Sequence, residues 1–175
     1  MRKPESVVEV FLKPGESYFG DRHTRIRTIL GSCVAITLWH PRWLFGGMCH
    51  YMLPERARGA SDFADGKYAD EALHLLLMEI AKANTQVEDY EVKMFGGGDM
   101  FPLNVRQTAP NIGLKNVSAG RILIEEHGLN CKAEDLGGVG HRNVIFDVWS
   151  GHVWVRKNGE STAVRRPGRK KEAIV

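Results

Sequence analysis

Two apolar stretches decide how this chain folds: Cys33-Val34-Ala35-Ile36-Thr37-Leu38 and Gly46-Gly47-Met48-Cys49-His50-Tyr51-Met52-Leu53. Between them, His40-Pro41-Arg42-Trp43 is typical of a turn, because proline presets the backbone angle of a turn's second position. The pattern predicts an antiparallel hairpin. A turn centred between Pro41 and Arg42 places Cys33 directly opposite His50, with Cβ atoms roughly 5 Å apart. A bulge or a turn with an odd number of residues would break this register.

Alternation along the two strands divides the predicted hairpin into two faces. One face is apolar and is expected to pack against helices: Val34, Ile36, Leu38, Cys49, Tyr51 and Leu53. The other face holds small or flexible side chains around the cysteine and histidine: Cys33, Ala35, Thr37, Met48, His50 and Met52. We expect this second face to leave room for a substrate side chain.

The remaining apolar periodicity predicts further strands and two helices. Strands are expected over residues 7–12, 26–30, 92–95, 131–136, 143–149 and 151–157, and helices over residues 68–83 and 114–127. Residues 54–66 are rich in Gly, Ala, Asp and Arg, which indicates an exposed loop. This order predicts an α/β fold of α+β type, a sandwich with a mixed and largely antiparallel sheet, and excludes a doubly wound nucleotide fold.

Composition and charge indicate one globular domain, residues 1–162, followed by a basic tail, residues 163–175. The chain is 43% hydrophobic and 26% charged, with a net charge of +3. The tail carries five basic residues and one acidic residue, so the remainder is close to neutral and shows no nucleic-acid-binding stripe. The tail is either a disordered, solvated end or a tether to an acidic partner or an anionic membrane surface.

The membrane-helix, signal-peptide and cysteine patterns of the sequence together predict a cytoplasmic protein. No apolar run approaches the roughly 20 residues of a membrane helix, and no signal peptide is expected at the start. Three cysteines without a Cys-x-x-Cys motif favour a reducing compartment over a disulfide framework.

The candidate chemistry centres on Cys33 and His50, because an imidazole beside a thiol activates a cysteine nucleophile. The glycine bend at Gly31 and Ser32 would leave backbone N–H groups to stabilise an oxyanion. The alternative is that Cys33 is a small buried hydrophobe. A zinc site built from Cys33, Cys49, His50 and Cys131 is disfavoured because neighbouring strand residues point to opposite faces. The glycines at 96–98 lack a phosphate-loop lysine, so we expect a strand end with positive φ there.

Several motifs, each weak alone, resemble in order and spacing the CheD family of chemoreceptor glutamine deamidases. They are Leu30-Gly31-Ser32-Cys33-Val34, His50-Tyr51-Met52-Leu53-Pro54, Lys67-Tyr68-Ala69-Asp70, residues 95–101, Asn111-Ile112-Gly113 and residues 134–138. The resemblance places the family's catalytic cysteine on Cys33 and its histidine on His50. The family's threonine lies six residues before the cysteine, where this chain has Arg27, so Thr28 is the nearest candidate for the third catalytic residue.

The resemblance implies an α/β sandwich similar to the catalytic domain of cytotoxic necrotizing factor toxins. It also implies hydrolysis of glutamine side chains on methyl-accepting chemotaxis receptors. The implied reaction proceeds through a Cys33 thiolate and a thioester intermediate and needs no metal or cofactor. The implied partners are the cytoplasmic signalling helices of those receptors. As an alternative, the chain is a regulatory module that binds a CheC-type phosphatase. A thiol protease or transglutaminase would share the Cys–His pair and would differ in its products.

Overall fold

Two β-sheets and two α-helices form three layers. The computed structural model describes residues 1–56, 63–100, 111–158 and 173–174. An outer and a central sheet, each of five strands, pack face to face, and the helices cover the other side of the central sheet. The predicted α/β class with mixed sheets is confirmed.

The outer sheet has the strand order β1-β3-β8-β9-β10. Its strands are β1 (Val8–Phe11), β3 (Thr24–Leu30), β8 (His141–Asp147), β9 (His152–Asn158) and β10 (Ala173–Ile174). The β1–β3 pair is parallel and the other pairs are antiparallel.

The central sheet has the order β2-β5-β4-β6-β7. Its strands are β2 (Ser17–Gly20), β4 (Val34–His40), β5 (Phe45–Tyr51), β6 (Glu91–Gly96) and β7 (Cys131–Leu136). Here only the β6–β7 pair is parallel. The sequence pattern did not reveal β2, a strand of four residues without a buried face.

Helices α1 (Ala69–Lys82) and α2 (Ile112–Glu126) lie close to their predicted positions, and a short 3₁₀ turn spans Val87–Asp89. The buried residues of α1 recur at helical spacing: Ala69, Ala72, Leu73, Leu76 and Ile80. Asn111 is the N-cap of helix α2, and its side chain accepts a hydrogen bond from the Leu114 amide at 3.2 Å. Gly128, with φ of +63°, follows the helix as expected.

The central sheet is buried on both faces, and every residue of β4 is buried. Val34, Ile36 and Tyr51 pack on the helices, so the predicted helix-facing surface is confirmed except at Leu53, which is exposed. The opposite face packs on the outer sheet, with Ala35 and Met48 in that second core. The expectation that this face leaves room for a substrate side chain is therefore wrong along most of the hairpin.

The hairpin register differs from the predicted one. Ala35, not Cys33, lies opposite His50. The connection is a turn of four residues, 41–44, in which Leu44 has φ of 54°, instead of a tight turn centred between Pro41 and Arg42. The register therefore moves by two positions. Because side chains alternate with a period of two, Cys33 and His50 stay on the same side of the hairpin.

Two predicted segments lie wholly or partly outside the described residues. The loop predicted over 54–66 is described at 54–56 and 63–66. Of the basic tail, the structure describes Ala173–Ile174, which pair with β9. The division into a domain of residues 1–162 and a tail stays a prediction.

Candidate active site

Cys33 is half-buried and lies immediately before β4. Its carbonyl accepts a hydrogen bond from the Gly97 amide at 2.8 Å. Burial raises the pKa of the Cys33 thiol, and the residue's own backbone amide, which donates to the sulfur, lowers that pKa in part. The free protein therefore holds Cys33 as a thiol with a hydrogen-bond donor already directed at the sulfur.

The bend before Cys33 holds its carbonyl groups in fixed directions. The Gly31 carbonyl accepts from the Gly98 amide at 2.8 Å, and the Ser32 carbonyl accepts from Asn116 Nδ2 at 3.0 Å. In a planar trans peptide the N–H points opposite to the C=O. The amides of Ser32 and Cys33 are thus turned away from these contacts.

His50 is almost completely buried in β5, between the two sheets. Its Nδ1 lies 2.8 Å from the hydroxyl of Thr28, and that hydroxyl donates its single proton to the Leu12 carbonyl at 2.9 Å. Nδ1 must therefore carry a proton and donate to Thr28. Nε2 is left as the unprotonated nitrogen, buried and without a hydrogen-bond partner among the described residues.

Burial also sets the charge of His50. It lowers the pKa of the imidazole to about 4, against smaller opposing effects of the Leu12 carbonyl and the Glu16 carboxylate. The ring is consequently neutral near pH 7 and able to accept a proton at Nε2.

Thr28 and Arg27, the two positions between which the sequence did not decide, lie on opposite faces of β3. Thr28 is buried and contacts His50. Arg27 points outward and pairs with Glu9 at 2.7 Å, with both side chains nearly half exposed. The structure thus brings together Thr28 and His50, and it leaves Arg27 away from the imidazole.

Cys33 and His50 are diagonal neighbours across the hairpin. His50 is opposite Ala35, two positions from Cys33 on the same face. Diagonal neighbours in a sheet lie roughly 7–8 Å apart, within reach of a ring side chain. The arrangement is therefore a thiol and a neutral imidazole on one face, with Thr28 behind the imidazole.

The glycine turn after β6 supports the Cys33 backbone. Gly96 and Gly97 have φ of +118° and +67°, which confirms the predicted strand end with positive φ. A Cβ atom on Gly96 would lie 2.2 Å from the Cys33 carbonyl oxygen, so only glycine fits.

The sequence of this chain matches known proteins over most of its length. The family model for CheD chemotactic sensory transduction matches residues 52–157. A probable chemoreceptor glutamine deamidase CheD of Pseudomonas fluorescens (strain SBW25) is 50% identical over 157 residues, which cover 89% of this chain and 88% of that protein. The chain belongs to the CheD family. A relative with the same description from Dechloromonas aromatica (strain RCB), CheD 3, is 47% identical over 87% of this chain and 89% of its own length.

These matches bear differently on the candidate site. The CheD family model begins at residue 52 and so does not include Thr28, Cys33 or His50. The alignment with the Pseudomonas relative spans 89% of the chain and must therefore include the stretch from Thr28 to His50. The resemblance inferred from the motifs is confirmed over most of the chain.

Two buried polar residues near the site were not assigned these roles from the sequence. Asn116 is fully buried and holds the backbone on both sides of the hairpin's open end. Arg142 is buried and donates to the Gly96 carbonyl at 3.0 Å and to Asp135 at 3.1 Å. Neither role shows in a local pattern, because Ser32, Met52 and Gly96 lie at least 46 positions from the side chains that contact them.

The described residues also bear on metal binding. Cys49 is in the helix-facing core, where burial raises the pKa of its thiol to about 12, while His50 points to the outer sheet. Within residues 1–56, 63–100, 111–158 and 173–174, no three His, Cys, Asp or Glu side chains cluster as metal ligands.

In the same ranges, neither helix has the length and apolar character needed to cross a bilayer.

Proposed function

We propose that this chain hydrolyses glutamine side-chain amides on chemoreceptors, leaving glutamate and releasing ammonia. The observation that carries the proposal is the buried Thr28–His50 hydrogen bond, which leaves a free Nε2 on the hairpin face that holds Cys33. The names of the relatives, chemoreceptor glutamine deamidases, supply the substrate. The proposed site is the receptor's cytoplasmic signalling helices, and the proposed location is the cytoplasm.

The first step is attack of Cys33 on the glutamine carboxamide carbon. The thiol and imidazole are both neutral in the resting site, because burial raises the pKa of Cys33 and lowers that of His50. The proton passes from Sγ to Nε2 as the new C–S bond forms, and the carbonyl π electrons move onto oxygen. Thr28 holds Nδ1 and keeps Nε2 as the proton acceptor.

The oxyanion forms beside the bend at Gly31 and Ser32. The carbonyls of Gly31, Ser32 and Cys33 are all held by donors of the protein, which turns the intervening amides the other way. We propose that the Cys33 amide, with Ser32 as a second donor, stabilises the negative oxygen.

The second half of the reaction releases ammonia and restores the thiol. The imidazolium of His50 protonates the departing nitrogen as the C–N bond breaks, leaving a thioester on Cys33. Water then attacks the thioester carbon and gives its proton to Nε2. The C–S bond breaks to free glutamate, and the sulfur recovers its proton from His50. No cofactor takes part in this sequence.

Two alternatives remain as separate predictions. A regulatory module that binds a CheC-type phosphatase would act without Cys33 chemistry. A protease or transglutaminase would give a cleaved or cross-linked product from the same thioester. The expected likeness to the catalytic domain of cytotoxic necrotizing factor toxins also stays a prediction, supported by the layered α/β architecture.

Ammonia release from a purified receptor cytoplasmic fragment tests the proposal. We expect the wild-type chain to release ammonia and both Cys33→Ala and His50→Ala to release none while unfolding cooperatively. Full activity of Cys33→Ala would refute the mechanism. Binding of a phosphatase by the inactive, folded Cys33→Ala protein would show that the regulatory role is separable from catalysis.

A further inference from the structure

Asn116 in α2 is a fully buried amide with an unusual set of partners. Its Nδ2 donates to two backbone carbonyls, that of Ser32 at 3.0 Å and that of Met52 at 2.7 Å. Both partners accept only, which fixes the orientation of the amide. Its Oδ1 is buried without a hydrogen-bond partner among the described residues.

These two carbonyls stand where the central hairpin opens. The β4–β5 ladder ends at the pair Val34 and Tyr51. Beyond it, the amides of Met52 and Leu53 both donate to the Lys67 carbonyl, at 2.8 and 3.0 Å, and the chain leaves β4. Asn116 joins the two diverging chains at the level of the candidate nucleophile.

The contact with Ser32 also sets the direction of one amide. The Ser32 carbonyl and the Cys33 N–H belong to one planar peptide and point in opposite directions. Holding the carbonyl on Asn116 therefore fixes the N–H that contacts the Cys33 sulfur and faces the proposed oxyanion position.

We propose that Asn116 is a positioning residue for the deamidation, which orients the Ser32–Cys33 peptide so that the Cys33 amide meets the thiolate and the oxyanion. The expected effect on catalysis rests on the proposed function, whereas the orientation of the Cys33 amide rests on the contacts of Asn116 alone. Space filling alone would not need an amide whose Nδ2 donates to a backbone carbonyl on each of the two diverging chains.

The chain offers a matched control in Tyr51 of β5, which contacts the same residue of α2. The Tyr51 hydroxyl donates to the backbone carbonyl of Asn116 at 2.8 Å and is equally buried. Tyr51→Phe removes one buried hydrogen bond between α2 and β5 without touching the Ser32 carbonyl. Asn116→Ala removes the two contacts that hold the open end.

The experiment compares Asn116→Ala and Tyr51→Phe in two assays of the full chain. The first is kcat and KM for ammonia release from a receptor fragment. The second is the pH dependence of iodoacetamide alkylation at Cys33, resolved from Cys49 and Cys131 by peptide mass spectrometry. Melting temperatures check that both variants are folded at the assay temperature.

We expect Asn116→Ala to lower kcat roughly 100-fold, the loss typical of one oxyanion donor, with KM little changed. Its Cys33 alkylation midpoint should move to higher pH, because the amide that lowers the thiol pKa is no longer held. Tyr51→Phe should change neither. If Asn116→Ala does not fold, Asn116→Ser, which keeps one donor, should lower kcat and raise the Cys33 alkylation midpoint in the same directions by smaller amounts.

Unchanged kcat and alkylation in a folded Asn116 variant would overturn the proposal, as would equal losses in Tyr51→Phe. The alkylation assay needs no substrate. A shifted Cys33 midpoint in a chain without deamidase activity would therefore refute the proposed function and leave the positioning role standing.

Discussion

Replacement of Thr28 by valine isolates the contact that prepares His50. The substitution keeps the side-chain volume and removes the hydroxyl that accepts from Nδ1 at 2.8 Å and donates to the Leu12 carbonyl at 2.9 Å. Both of these groups lose a buried partner. Thr28 is 2% exposed, so the change alters the imidazole without altering a surface that substrate touches.

The expected cost follows from these two hydrogen bonds. Leaving buried polar groups unsatisfied costs about 1–3 kcal/mol. In a chain of this size, that lowers the melting temperature by roughly 2–4 °C per kcal/mol. In catalytic triads, loss of the correct histidine tautomer lowers kcat by about 10⁴. Because the Leu12 carbonyl also favours the protonated imidazole, raising the pKa of His50 against the effect of burial, we expect a smaller loss of roughly 100-fold.

Steady-state ammonia release and thermal unfolding measure both effects, with Thr24→Val as the control. Thr24 lies on the same buried face of β3, four residues earlier. Thr28→Val should lower kcat with KM unchanged, and Thr24→Val should keep kcat. A Thr28→Val protein with wild-type kcat would show that the Thr28–His50 contact does not prepare the base.

Three further predictions concern the pKa of His50, the glycine beside the Cys33 carbonyl and the Arg27 ion pair. Because the His50 pKa is near 4 in the folded chain and near 6.5 when unfolded, only the unfolded chain binds this proton between those values. The contribution of His50 to the free energy of unfolding should therefore be fully present above pH 6.5 and should fall by about 3 kcal/mol towards pH 4. In urea titrations at several pH values, His50→Gln should reduce this pH dependence. Gly96→Ala forces a Cβ to within 2.2 Å of the Cys33 carbonyl and should abolish activity. Gly128→Ala, with open space around its Cβ, should cost only about 1–2 kcal/mol in a melt and keep activity. Arg27→Ala should keep the wild-type kcat, and its free energy of unfolding should change by no more than about 1 kcal/mol, because the Arg27–Glu9 ion pair is exposed. An inactive but folded Arg27→Ala protein would favour Arg27 over Thr28 as the third catalytic residue.

The sequence predicted the hairpin, both helices and the shared face of Cys33 and His50, because these depend on local periodicity. The sequence did not predict the correct hairpin register. Leu44 adopts a left-handed backbone conformation, which is uncommon for leucine and so was not expected. The even shift preserved the face assignment.

Contacts between distant segments set the limit of prediction. Thr28 was a candidate only through a family resemblance, and its contact with His50 depends on how two sheets pack. Asn116 lies 84 positions from Ser32 along the chain, so no spacing rule could connect them. The second hairpin face looked open because no local signal showed that the outer sheet covers it.

Peptide mass spectrometry of a receptor cytoplasmic fragment, incubated with the wild-type chain or with Cys33→Ala, shows whether Cys33 converts receptor glutamines. We expect the wild-type chain to convert specific receptor glutamines to glutamate and Cys33→Ala to convert none. Brief incubation and acid quench should also trap a receptor adduct on Cys33. Equal conversion by both proteins, or receptor cleavage or cross-linking in place of conversion, would refute deamidation by Cys33.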